Sequence, residues 1–147
     1  MSNIINDKEK AMIAIQNNAW AFVKNISDDL KSDREIIMAA VSSGPSVFLS
    51  FLADHHKKDR EIVMAAAKTN AYVLELVSDD LTNDREIVMA AVNTDGSVLQ
   101  YASEDLKKDR EIVMAAVNSN DTALEYVSDD LKKDKDFLEF IDKLNTT

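Results

Sequence analysis

The chain has 147 residues, no cysteine, two glycines, one proline and a formal net charge of −10. That length predicts a single domain with room for a core that needs no metal or disulfide staple, and the missing thiol removes disulfide and thiolate chemistry. The charge is uneven, with nine acidic and nine basic side chains over residues 1–74 but eighteen and eight over residues 75–147, a surface that repels phosphate backbones and steers in basic partners.

The first ten residues lack a positive segment followed by an apolar run, so no signal peptide is expected. The longest apolar runs, such as Ile36 to Val41, fall far short of the roughly 20 residues that span a bilayer. A cytoplasmic protein without membrane contact is the expectation. Along the chain, one motif recurs. It begins weakly at Asp7 (Asp-Lys-Glu), strengthens at Asp33 and Asp59, and is nearly letter for letter between Asp84–Val92 and Asp109–Val117. A weak copy starts at Asp134, and the intervals are 26, 26, 25, 25 and 25 residues. A fixed period of this size predicts stacked repeats.

The unit from Asp84 to Lys108 shows what each copy does. Asp84 is a good N-cap, and Glu86 suits the positive end of a helix dipole. Ile87 to Val92 are six consecutive apolar residues, the pattern of a helix buried on most sides. Ile87 and Met89 lie about 200° apart on a helical wheel, which predicts one neighbour on each flank. By the same spacing the Met column (Met12, Met38, Met64, Met89, Met114) is expected in the core. Asp95 then caps a second, amphipathic helix with Val98, Leu99, Tyr101 and Ala102 inward and Gln100 outward. Asn18, Gly44, Asn70 and Asn120 fill the same capping slot. Leu106 anchors the return, as do Leu30, Leu81 and Leu131.

Four acidic tetrads follow the second helices: Ser27 to Leu30, Ser78 to Leu81, Ser103 to Leu106 and Ser128 to Leu131. Two acids at a helix C-terminus are unfavourable, so each serine is expected to cap a separate short turn. None resembles a calcium loop. Arg34, Arg60, Arg85 and Arg110 stand beside acids in every copy and predict a ladder of exposed ion pairs.

The ends differ from the middle. The flank held by Ile36, Ile62, Ile87 and Ile112 carries Lys10 in the first copy, and the flank of the Met column carries Glu139 in the last, with Asp142 nearby. Terminal units that are polar where no neighbour follows are expected of capping repeats. The expected architecture is all-α: a short right-handed-type α-solenoid of five to six helical-hairpin repeats with polar ends, one domain over residues 1–147, the last helix starting at Asp134.

The pattern Leu-x-x-Asp-Arg-Glu-Ile-Val-Met-Ala-Ala-Val, then a polar gap and Leu-x-Tyr-Ala-Ser-Glu-Asp-Leu, resembles the repeats of domain of unknown function 4116. Residues 81–117 carry it best, and it extends over about 27–138. The resemblance implies helical repeats and brings no activity or binding residue with it.

Function is sought where copies depart from the pattern. Trp20 falls in a slot assigned also to Ser46, Ala71, Gly96 and Asp121, and is either an end cover or a binding anchor. His55 and His56 replace Asp-Leu of the tetrad, and His56 in the leucine slot reads as a packing residue. Adjacent histidines with no third ligand make a poor metal pair, so neither metal nor cofactor is expected. No nucleophile triad, phosphate loop or zinc motif is present, and an acid pair repeated four times reads as structural. A non-enzymatic protein-interaction module, monomeric or weakly self-associating, is therefore expected. Its contact surface is expected along the outward slots Lys24, Ser50, Glu75, Gln100 and Glu125, with Trp20, Tyr72 and the acids Asp79, Asp80, Glu104 and Asp105. The alternative is an acidic mimic of nucleic acid that blocks a DNA- or RNA-binding protein.

Overall fold

The computed structural model describes residues 3–43 and 52–147. Repeat 1 comprises α1 (Lys8–Asn17), α2 (Ala21–Lys24) and α3 (Asp28–Lys31), and repeat 2 opens with α4 (Arg34–Ser43) and closes with a 3₁₀ turn at His56–Lys58. Repeat 3 has α5 (Arg60–Ala67), a 3₁₀ helix at Ala71–Glu75 and α6 (Asp79–Thr82). Repeat 4 has α7 (Arg85–Thr94) and 3₁₀ helices at Gly96–Tyr101 and Leu106–Lys108. Repeat 5 has α8 (Arg110–Ser119), a 3₁₀ helix at Asp121–Tyr126 and α9 (Asp129–Lys132), and α10 (Lys135–Asn145) ends the array. Among the described residues the only β feature is an isolated parallel bridge between Ile5 and Ile26.

The long helices stack in chain order: α1 on α4, α4 on α5, α5 on α7, α7 on α8 and α8 on α10. The fold is an all-α repeat solenoid. Its cause is the apolar run: Ile62, Val63, Ile87, Val88, Ile112 and Val113 are fully excluded from water, and each such side chain contributes on the order of 1.5–3 kcal/mol by burial. The starts of the helices are set by the recurring aspartate. Asp59 and Asp84 accept hydrogen bonds from the amides two and three residues on, while Asp109 and Asp134 accept from the third, filling donors that a helix end leaves open.

The second element departs from the expected amphipathic α-helix. In repeats 3 to 5 it is a 3₁₀ helix of five or six residues. Too few residues separate its cap from the acidic tetrad for stable α-turns, and in repeat 4 the short helix buries Gly96, Val98 and Leu99. Tyr101, expected inward, is only half-buried. The tetrads do form the separate turns that were expected. Leu106 N and Leu131 N donate to the Ser103 and Ser128 hydroxyls, whereas Ser27 Oγ is buried without a partner. The repeat is thus a three-element unit rather than a simple hairpin.

Two further corrections concern register and burial. The amides of Trp20, Tyr72, Ser97 and Thr122 each donate to the capping side chain two residues before them. Trp20 therefore aligns with Tyr72, Ser97 and Thr122, one residue away from the assignment based on Ala71, Gly96 and Asp121. The Met column is half-buried at the edge of the core, against which it packs, rather than fully inside it. Met64 and Met89 line a shallow groove there with Arg60, Lys68, Arg85 and Asn93.

At one point the layers touch backbone to backbone. A Cβ on Gly96 would lie 1.8 Å from the carbonyl oxygen of Ala116 on α8. Only a residue without a side chain fits there.

Candidate interaction surface

Two faces carry the polar chemistry. On the rim of the long helices, one cation per repeat reaches the capping aspartate and the acid two residues beyond it in the next repeat. Lys8 Nζ lies 3.0 Å from Asp33 and 2.9 Å from Glu35. Arg34 meets Asp59 at 2.8 Å and also Glu61, Arg60 meets Asp84 at 2.7 Å and also Glu86, and Arg85 meets Asp109 at 3.0 Å and also Glu111. Arg110 closes the series on Asp134 at 2.6 Å and Asp136 at 3.1 Å. The cations hold the Asp33, Asp59 and Asp84 carboxyls below their ordinary range, against the opposing effect of burial. This ladder is the one read from the arginine column, and it occupies those side chains with neighbours.

The second face is built by the 3₁₀ helices, which pack in series. Tyr72 is 44 % exposed and meets Tyr101 edge-on, with ring centroids 6.4 Å apart. The Tyr72 hydroxyl is 3.2 Å from Ser97 Oγ, and Asp95 accepts from Ser97 N and from Asn120 Nδ2, each at 3.0 Å. The face is thereby tied from repeat 3 to repeat 5. Burial pushes the Asp95 carboxyl up, but these hydrogen bonds outweigh it and hold it low. Burial, followed by the nearby Glu75 carboxylate, raises the Tyr101 phenol.

Of the residues expected at a contact surface, Tyr72 and Glu75 fall together here. Glu125 is exposed on the same series in repeat 5, and Gln100 is half-buried, its amide donating to Ser97 O. Trp20, 47 % exposed, precedes α2 at its N-cap and Lys24 ends it, both in repeat 1 and apart from this group in the array. Ser50 lies outside the described residues.

The acids divide. Glu104 pairs with Lys107 at 2.9 Å, which lowers its carboxyl, as Asp28 pairs with Lys31. Repeat 3 has Thr82 where those turns have lysine, so Asp79 has no cation three residues on. Asp79 and Asp80 are exposed with no ion pair among the described residues.

Sequence reasoning missed Tyr126 and the outward aspect of Tyr101. Their signal was available: Leu76, Tyr101 and Tyr126 each follow the outward slot Glu75, Gln100 or Glu125 directly. Leu76 is exposed, and Tyr101 and Tyr126 are half-buried.

His56 is 5 % exposed, in the leucine slot as expected. Its Nδ1 has no hydrogen-bond partner, and burial, with the adjacent His55, pulls its pKa down. Asp59 opposes that shift.

A family described as a domain of unknown function (DUF4116) matches at residues 7–52, 47–82, 84–132 and 109–141. The chain belongs to that family. The overlapping matches follow the repeats of the solenoid. No curated protein and no solved structure matches the chain. No helix among the described residues is long and apolar enough to cross a membrane.

Proposed function

We propose that the protein is a non-enzymatic interaction module of the cytoplasm that presents its 3₁₀ face to a basic or amphipathic protein. The observation that supports this most is the row of Tyr72, Tyr101 and Tyr126 beside Glu75, with unpaired Asp79 and Asp80 in the same repeat. Tyrosine contributes large contact area with little side-chain entropy to lose. Acids without an internal cation are available to a partner's lysines and arginines, and the net charge of residues 75–147 steers such a partner in.

The test is affinity capture from the native cell with three baits: the wild type, Tyr72→Ala, and a variant with Glu75→Gln, Asp79→Asn, Asp80→Asn, Glu104→Gln and Asp105→Asn. A basic protein enriched by the wild type, released as salt rises, and lost from both variants supports the reading. Retention by the neutralised bait ends its electrostatic part, and no specific enrichment over a composition-matched control ends it altogether. The excess of acids over residues 75–147 also favours the nucleic-acid-mimic reading, in which the captured protein is one that DNA or RNA displaces from the bait.

A further inference from the structure

The ion ladder is open at both ends. Five cations bridge to acids of the following repeat, but α10 carries a sixth, Lys135, which is exposed and in no ion pair among the described residues. At the other end Asp7 and Glu9 hold the acceptor positions of the same joint. Both are exposed, and neither takes part in an ion pair among the described residues. One more step of the stack would set Lys135 against Asp7 and Glu9.

The stacking flanks agree. On α1 the inter-repeat isoleucine is replaced by exposed Lys10, and on α10 the methionine is replaced by exposed Glu139. The apolar positions beside them are uncovered. Leu138 occupies the slot of Val63, Val88 and Val113, which are fully buried, yet Leu138 is 47 % exposed. Ile13 on α1, in an alanine slot, is 52 % exposed. In helical phase, the position equivalent to Lys135 lies about 140–160° from those of Lys10 and Ile13, at about 100° per residue. The two faces therefore point in opposite directions along the stack, as a head-to-tail joint requires.

We propose that a second copy of this chain covers these faces, with α10 of one molecule stacked on α1 of the next. Lys135 then meets Asp7 and Glu9, Glu139 meets Lys10, and Leu138 packs against Ile13. The capping charges that keep a lone end soluble are complementary to each other, so they select this joint and reject end-to-end contacts of like kind. A heterologous joint of this type does not close on itself, and it extends the solenoid into filaments. It leaves the tyrosine face free, so it stands or fails separately from the partner reading above.

The test is sedimentation velocity at rising concentration in low and high salt. The wild type should move from a 16.4 kDa monomer to species beyond the dimer as concentration rises, and the shift should weaken as salt rises. Lys10→Glu alone and Glu139→Lys alone should each stay monomeric, since each sets like charges across the joint. An equimolar mixture of the two should associate again, at least tenfold more tightly than either alone, because Lys10→Glu in one chain faces Glu139→Lys in the other. Both positions are exposed, and unchanged thermal unfolding confirms that the variants fold. A wild type that stays monomeric into the millimolar range overturns the proposal, as do single variants that associate like the wild type or a mixture that does not recover.

Discussion

The row of long helices and the row of 3₁₀ helices answer to different constraints. In the first, the same letters occur at the same positions and meet the same fate: Ile62, Ile87 and Ile112 are all fully buried. In the second, one slot holds Trp20, Tyr72, Ser97 and Thr122, tied only by a shared backbone hydrogen bond to the cap. A solenoid must solve the same packing problem at each step, so the stacking row cannot vary. The outer row needs only its cap and two or three buried residues. Its remaining positions are open to selection for contacts.

The comparison can be broken first at the stacking row. Ile112→Ala should cost about 2–5 kcal/mol, read as a lower urea midpoint, while Tyr72→Ala should stay within about 0.5 kcal/mol. Equal costs at the two positions would erase the distinction. Next in size is Gly96, where the two rows meet backbone to backbone. Gly96→Ala should lose about 1–3 kcal/mol, because a methyl group cannot displace the Ala116 carbonyl without shifting α8.

His56 sharpens the comparison from the other side, since it breaks the pattern inside the buried row. His56→Leu should raise stability by about 1 kcal/mol by removing a buried polar nitrogen without a partner. Its folded-state pKa is lowered, so the neutral form stabilises the fold above the unfolded value near 6.5 and that contribution is lost as pH falls through the folded value. Between pH 7 and 5 the wild type should therefore lose stability that His56→Leu retains, measurable by thermal unfolding across that range. The smallest effect belongs to the rim: Arg85→Ala should lower the urea midpoint least of these variants, and less still in high salt. The lowered carboxyls of Asp33, Asp59 and Asp84 have the same sign of dependence at lower pH. Their contribution is present above the ordinary carboxylate range and lost on acidification below it.

Much of the long-helix row was legible in the sequence because its determinants are local and repeated. Asp84 caps, the run Ile87 to Val92 buries, and Lys10 and Glu139 mark the ends. The second row was less so. A 3₁₀ helix of five residues leaves no hydrophobic period long enough to distinguish from a short α-helix, so Tyr101 was placed inward. Counted back from the tetrads, the extra residue in the first two intervals sets Trp20 against Ala71, whereas counted forward from Asn18 and Asn70 it aligns with Tyr72. The half-burial of Met64 and Met89 in a groove was not legible because a helical wheel gives direction but not how deeply a neighbour covers each position. The lack of a cation three residues after Asp79 was legible in Thr82, whereas the pairing of Glu104 with Lys107 depends on side-chain reach that spacing alone does not resolve.

The central claim is that each repeat is held by its two neighbours and by nothing farther along the chain. Deletion of residues 84–108 tests it most directly, because it removes one whole period, joins Asn83 to Asp109 in register and brings Arg60 to the acids of α8. Circular dichroism and urea unfolding of the shortened chain should show a folded helical protein with one cooperative transition and reduced stability. A chain that has lost its helical signal and its transition would contradict the account.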